Sequence, residues 1–374
     1  DFCLSRGLGD VYKRQVYNPA ETELNMKMHK AISIIQFKLE GQLLTRRKEY
    51  KMSDRRLLDK IDYEAGTMEL DGKTYALIDK NFPTIDPKKP FELTEEETAI
   101  MERLVTAFTD CEKLQQHMML LLNKGGLYKT FNGNLLYHGC VPLNDDGSLM
   151  TVEIYGKKYK GKALYDVLDT YVRKAFFALN PVEREKGKDI LWYIWSGPGS
   201  PLFGKSKMAT LERYFLKEPE THKEVKNAYY GMLENDTVVN SILQEFGLDP
   251  EHGHIINGHV PVHHMSGESP VKCNGKLLVI DCGFSKAYQK ETGIAGYTLI
   301  FNSFGLILAA HEPFTSAENA IAQETDIVSD SILVKRVAKR MVVGDTDNGK
   351  ALQERIDELK QLLDAYRSGL IKEK

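Results

Sequence analysis

Apolar and polar residues recur along this chain with two periods, and the changes of period mark out its elements. Over residues 26–44, Met28, Ala31, Ile32, Ile35, Leu39 and Leu43 fall at helical spacing. Arg46 and Arg47 follow, where cations suit the carboxyl end of a helix. Two short runs, Thr67–Leu70 and 73–77, flank Asp71-Gly72, a dipeptide that predicts a β-hairpin because both residues tolerate positive φ. Thr94 and Glu97 form a capping box. It opens one long helix with the stripe Ile100, Leu104, Phe108, Cys111, Leu114, Met118 and Leu121, stopped at Gly125-Gly126. Asn132-Gly133 predicts a second hairpin that delivers His138, and helices are expected over 163–179, 210–216 and 238–246. In the last third, strands over His254–Asn257, 276–281, 297–302 and 306–310 are separated by glycine-bearing turns. Ser303-Phe304-Gly305 joins the last two as an antiparallel hairpin. An amphipathic helix with Leu352, Ile356, Leu359, Leu363 and Tyr366 follows. Strands mixed with helices, some paired as hairpins, predict a layered mixed α/β sandwich.

Composition narrows the partners. The 374 residues carry 50 Lys+Arg against 53 Asp+Glu, a net charge of -3, so no cationic footprint for nucleic acid exists. No apolar run approaches the roughly 18 residues of a membrane span. Cys3, Cys111, Cys140, Cys273 and Cys282 are scattered without a CxxC pair, the pattern of reduced thiols in a cytoplasmic protein. Residues 1–15 match neither period and read as a foreign leader, with 16–374 as the protein proper.

Two segments carry chemistry. In Asn134-Leu135-Leu136-Tyr137-His138-Gly139-Cys140, an apolar strand ends on a histidine beside glycine. Ile255-Ile256-Asn257-Gly258-His259-Val260-Pro261 repeats the construction through a tight Asn-Gly turn. A strand-end histidine next to glycine can reach a metal or phosphate unblocked by its neighbours. His138 and His259 together make half of a two-metal hydrolase site. His252, His254, His263 and His264 lack ligand spacing and read as structural or solvated, and His117 as a helix packing position. Asp281 ends a strand, where it either orients a metal-bound histidine from behind or simply turns the chain into a glycine loop. Lys272, Lys276, Lys286 and Arg213 are phosphate-binding candidates, the alternative being solvated surface cations. The bridging-carboxylate patterns Asp-x-His, Gly-Asp-x-x-Asp-Arg and Gly-Asn-His do not occur, and no residue stands out as the general acid.

At these residues a family likeness emerges. Asn257-Gly258-His259-Val260-Pro261-Val262, Gly267-Glu268-Ser269-Pro270-Val271-Lys272, Val279-Ile280-Asp281-Cys282-Gly283-Phe284-Ser285-Lys286 and Thr292-Gly293-Ile294-Ala295-Gly296-Tyr297 resemble the class 3 fructose-1,6-bisphosphatases of bacteria. So do the segment from Asn132 to Pro142, Trp192-Tyr193-Ile194-Trp195 and Leu211-Glu212-Arg213-Tyr214-Phe215, and the likeness is collinear from about Met28 onward. It implies a calcineurin-like metallophosphoesterase, a sandwich of two mixed sheets flanked by helices. It also implies a binuclear Mn²⁺ site, to which His138 and His259 each give a ligand, and hydrolysis of the 1-phosphate of fructose 1,6-bisphosphate in gluconeogenesis. In the family, three further metal motifs, one bearing the general-acid histidine, precede the matching region. The likeness is therefore to the carboxyl-terminal portion, incomplete at its amino end, and little activity is expected of this chain alone. Two other readings stand beside it. One is a metallophosphoesterase for a different phosphoester, such as a dinucleotide or phosphoprotein. The other is a non-catalytic regulatory or oligomerisation module, with homo-oligomers built on the late helices.

Overall fold

One long helix, α1 (Pro19–Arg46), organises the first part of the chain. The structure is a computed structural model and describes residues 19–281, 292–293, 296–311, 316–322, 324, 329–336 and 340–372. The leader expected over residues 1–15 lies outside them. The chain divides into two compact units, the first made of residues up to Leu127 with Cys140–Gly231, the second of Tyr128–Gly139 with Met232–Lys374.

In the first unit α1 buries Ile34, Ile35, Phe37, Leu43 and Leu44, whereas Met28 and Ile32 from the expected stripe are 60% and 41% exposed. The buried face is thus rotated from the one that spacing alone picks out. The cause is partly Lys38, a charged residue with no exposed surface, which donates to Glu97 Oε2 at 2.7 Å and to the Thr84 carbonyl at 2.6 Å. Strands β1 (Ile61–Asp62), β2 (Thr67–Leu70) and β3 (Lys73–Ala76) form a small antiparallel sheet. Its Asp71-Gly72 turn has φ 51° and 74°, as the hairpin requires. Met68, Leu70 and Leu77 pack with Phe37, Leu58, Leu211 and Phe215 in one core cluster. Thr94 and Glu97 exchange the capping-box hydrogen bonds at 3.2 and 2.9 Å. The long helix they open is instead two, α2 (Glu95–Thr109) and α3 (Glu112–Lys124), because Cys111 is extended (φ −75°, ψ 95°). Leu104, Phe108 and Leu121 are exposed, and so is His117.

The chain next supplies β4 (Tyr128–Phe131) and β5 (Asn134–Tyr137) to the second unit, through Asn132-Gly133 with φ 50° and 75°. The first unit resumes with the hairpin β6 (Val152–Ile154) and β7 (Lys157–Tyr159), then α4 (Gly161–Phe177), α5 (Pro181–Ser196) and α6 (Thr210–Phe215). Helix α5 was not foreseen. Asn180 caps it, accepting from Val182 and Glu183, with Pro181 at its first turn. Its Ile190, Tyr193 and Ile194 join Leu164, Leu168 and Val152 in a second cluster, so the aromatic run is core.

The second unit is built on helix α7 (Asp236–Glu245) and strands β8 (His254–Asn257), β9 (Val271–Lys272) and β10 (Leu277–Val279). A five-stranded mixed sheet runs β4-β5-β8-β10-β9, in which β5, β8 and β10 are parallel and the two outer strands antiparallel. Strands β11 (Gly296–Asn302), β12 (Gly305–His311) and β13 (Ser329–Arg336) form an antiparallel sheet with helix α8 (Ala317–Ala322) between the last two in sequence. Helix α9 (Asp347–Arg367) follows. The expected mixed α/β class is what the structure has. Among the described residues no helix is long and apolar enough to cross a membrane.

Candidate functional site

The three parallel strands of the second unit end together, and each hands its next residues to the same corner. Leu136 and Leu278 both pair with Ile256, and Val279 pairs with Asn257. His138 therefore follows β5, Gly258-His259 follows β8, and Ile280-Asp281 follows β10, all at the carboxyl edge. This is where open parallel sheets collect ligands. Backbone bonds lock the corner: Gly258 N–H donates to the His138 carbonyl at 2.9 Å, and Ile280 N–H to the Asn257 carbonyl at 2.9 Å. The Asn257 side chain, 2% exposed, donates from Nδ2 to the Gly139 carbonyl at 2.9 Å.

His138 and His259 are brought face to edge. Nε2 of His138 lies 3.0 Å from Nδ1 of His259, with ring centroids 4.8 Å apart. Two imidazole nitrogens sharing one divalent ion at about 2.0–2.1 Å, at angles of roughly 90–109°, would stand about 2.8–3.4 Å apart. The pair already has that spacing. Burial pushes the His138 pKa below the ordinary histidine range, and the charge of Asp281 pulls weakly the other way. Burial thus favours the neutral ring, the form that can give a lone pair to a metal.

Backbone conformation at this corner departs from expectation. The tight turn falls one residue later than Asn-Gly, because the positive φ belongs to His259, at 69°. Val260 N–H donates to the Gly258 carbonyl at 2.9 Å, closing a γ-turn around the histidine in its rarer, strained form. Such a conformation costs a non-glycine residue of order 1–3 kcal/mol and persists only where surroundings impose it. A side chain at Gly258 would crowd the corner: an added Cβ would stand 3.2 Å from Asp281 Cβ, closer than carbon atoms pack comfortably, and 3.7 Å from the His138 carbonyl oxygen.

Of the other candidates, Asp281 sits at this corner and acts electrostatically on His138. Lys272 and Lys276 do not reach it. Lys272 pairs with Leu277, and Lys276 precedes β10, so both lie at the opposite end of that strand. Lys272 Nζ is 3.2 Å from Glu268, and Lys276 Nζ is 3.1 Å from Asp236 and 2.9 Å from Asn240. Arg213 belongs to the first unit, where it donates to the His222 carbonyl at 2.9 Å. Lys286 lies outside the described residues. His254 is buried in β8 with its pKa driven down to about 4 by burial, helped by the charges of Lys335 and His252. His263 and His264 are exposed. Asn257 was not singled out in advance; its only signal is an amide at a strand end directly before Gly-His.

No group of three or more His, Cys, Asp and Glu side chains able to hold a metal occurs among the described residues. The two histidines by themselves are fewer donors than a divalent metal site needs. The corner also holds a buried oxygen, Asn257 Oδ1, without a hydrogen-bond partner among them. Imidazole nitrogen beside oxygen donors is a set that divalent transition metals accept.

Comparison with known proteins gives the likeness a name. A family profile described as Firmicute fructose-1,6-bisphosphatase matches residues 9–368. The chain is 54% identical over 356 residues to a class 3 fructose-1,6-bisphosphatase of Clostridium novyi (strain NT), covering 94% of this chain and 54% of that one. Proteins of the same name from Alkaliphilus metalliredigens (strain QYMF) and Clostridioides difficile (strain 630) are 53% and 55% identical over 361 and 360 residues. Each match covers 96% of this chain and 54% of the relative. The chain thus spans about half the length of the curated relatives it matches. No solved structure matches significantly.

Proposed function

Because the chain belongs to the Firmicute fructose-1,6-bisphosphatase family, we propose that it works in metal-dependent hydrolysis of the 1-phosphate of fructose 1,6-bisphosphate. The observation that carries this reading is the 3.0 Å approach of His138 and His259 at the carboxyl edge of parallel strands. We assign the five-stranded mixed sheet and the β11-β12-β13 sheet to the two sheets of a metallophosphoesterase sandwich. The free thiols Cys111, Cys140 and Cys273 suit a reducing cytoplasm.

In this reading His138 and His259 hold one edge of a binuclear Mn²⁺ centre. Bound metal ions supply Lewis acidity toward the phosphoryl oxygens and an activated water. The chain's own part is positioning. Burial disfavours the protonated form of His138, and the charge of Asp281 acts the other way. The γ-turn fixes the His259 backbone, so its imidazole is aimed before any ligand arrives. Asn257 ties the loop after His138 to the strand before His259, holding the two nitrogens at ligand spacing. Lys272 and Lys276, bound to carboxylates at the far end of β10, take no part.

A chimera tests the proposal. This chain replaces its matching region in the Clostridioides difficile relative, and phosphate release is followed with Mn²⁺ on fructose 1,6-bisphosphate and on a dinucleotide. Turnover of the sugar bisphosphate alone, lost in both His138→Ala and His259→Ala, is expected. Dinucleotide hydrolysis, or full activity in either variant, would refute it.

A further inference from the structure

Helix α9 carries an apolar stripe that none of the described residues covers. Leu352, Ile356, Leu359, Leu363 and Tyr366 follow at steps of four and three residues, the alternation of a coiled-coil seam. They are 60%, 46%, 53%, 47% and 43% exposed. Among the described residues the helix is held at its amino end. Asp347 accepts from Asn132 N–H at 2.7 Å and donates its own N–H to Asn132 Oδ1 at 2.9 Å, pinning the helix to the β4–β5 turn. Beyond Gly349 the helix is exposed throughout, apart from partial cover at Ala365. Its 21 residues span about 32 Å.

We propose that α9 pairs antiparallel with α9 of a second copy of this chain. The stripe is self-complementary in that orientation. With a two-fold axis beside Gln361, Ile356 meets Tyr366 of the second copy and Leu359 meets Leu363, and the same layers repeat across the axis. Leu362, 43% exposed on the edge of the seam, then meets its own copy. Leu370, 82% exposed just past the helix end, extends the seam toward Leu352 of the second copy.

Charge selects the direction. The seam is flanked by Arg355, Lys360 and Arg367. A parallel pair would set Arg355 of each helix against Lys360 of the other, and Leu362 against Arg367. The antiparallel pair separates the first two and gives Leu362 an apolar neighbour. It also opposes the two helix dipoles. Lys360, which approaches its own copy near the axis, has a partner on its own helix: Asp357 stands 3.6 Å away. Arg355 is matched in the same way by Glu358 at 2.9 Å.

Sedimentation equilibrium of the 374-residue chain, with and without Leu359→Glu plus Leu363→Glu, tests the pairing. The unsubstituted chain is expected to be a dimer, weakened at least about 100-fold by the two glutamates. Both sites are solvent-exposed, so far-UV circular dichroism should be unchanged; the milder Leu352→Ala, expected to weaken the dimer less, repeats the test if it is not. Oxidative cross-linking of Leu362→Cys and, separately, Leu352→Cys reads the direction, since a disulfide needs Cα atoms within about 7 Å. A 362–362 linked peptide and no 352–352 peptide is expected by mass spectrometry. A monomeric unsubstituted chain, a dimer indifferent to the glutamates, or a 352–352 link would each overturn the proposal.

Discussion

Replacing Gly258 by alanine should disturb the histidine corner without touching either histidine. The added methyl would stand 3.2 Å from Asp281 Cβ and 3.6 Å from its Oδ2. Carbon atoms pack comfortably at about 3.5–4.0 Å, so the strand end bearing Asp281 must retreat by several tenths of an ångström. Overpacking of this kind costs about 1–3 kcal/mol, and the lower chain entropy of unfolded alanine returns about 0.4–1 kcal/mol. A net loss of about 1–2 kcal/mol is expected, with Mn²⁺ affinity lowered roughly tenfold or more as the group behind His138 shifts. Hydrogen exchange at the β8 amides is the right assay, because Trp192 and Trp195 both lie in the other unit and would report on that one. The obstructing atom is named, which makes the reasoning refutable. Asp281→Gly should recover most of the protection lost to Gly258→Ala, as a double-mutant cycle measures. Gly344→Ala, with nothing within 4 Å of its would-be Cβ, should be near neutral. If Gly258→Ala is as harmless as Gly344→Ala, or Asp281→Gly recovers nothing, the close approach is not what holds the corner.

Protonation of His254, whose pKa is lowered to about 4, is suppressed in the folded state. The unfolded chain therefore binds more protons between about pH 4 and 6.5, and stability falls as pH drops through that window, by roughly 3 kcal/mol in full. Unfolding of His254→Leu should show a flatter pH dependence; an unchanged slope would place the effect elsewhere. Lys38→Met strands the buried Glu97 carboxylate and should cost about 3–5 kcal/mol, read by tryptophan fluorescence in the first unit. Lys38→Met with Glu97→Gln should recover much of it. The proposed reading assigns no general acid to this chain, so on its own it should show at most trace Mn²⁺-dependent phosphatase activity, because loss of a general acid forfeits about 10²–10⁴-fold. Robust turnover would mean that this chain itself holds the further ligands and the acid.

Local rules read this chain well wherever one dipeptide or one cap decides the outcome. Asp71-Gly72, Asn132-Gly133 and the Thr94 box did so, and the strand-end histidines were legible because glycine beside a buried strand has few uses. The helix through Trp192 was not, since its aromatic residues suit a strand equally well and only Asn180-Pro181 announces its start. The β6–β7 hairpin turns on Tyr155-Gly156, with φ 48° and 79°, where glycine is the one turn signal and tyrosine beside it is not the Asn or Asp that usually marks such a turn. The face of α1 was misjudged because a lysine is its most buried polar residue, and no pattern of apolar positions reveals a partner 59 residues away. Lys272 and Lys276 looked close to the site in sequence, but a strand carries its two ends in opposite directions. Antiparallel β9 puts Lys272 opposite Leu277, and Lys276 precedes that residue, so both lie at the end of β10 away from the histidines.

The order in which the sheet is strung has a consequence in time. The Gly139 carbonyl, just past β5, waits for its Asn257 partner until 118 further residues have been made. At about 5–20 residues per second, a ribosome leaves the β4–β5 hairpin for roughly 6–24 seconds without its neighbour. During that interval the edge that β8 will occupy is open, and Leu135, wholly buried in the finished sheet, is uncovered. A lone hairpin is marginal in water, and an unpaired edge is a template for other chains. Nascent chains of this protein should therefore be clients of ribosome-bound chaperones from the emergence of Tyr137 until Asn257 clears the exit tunnel.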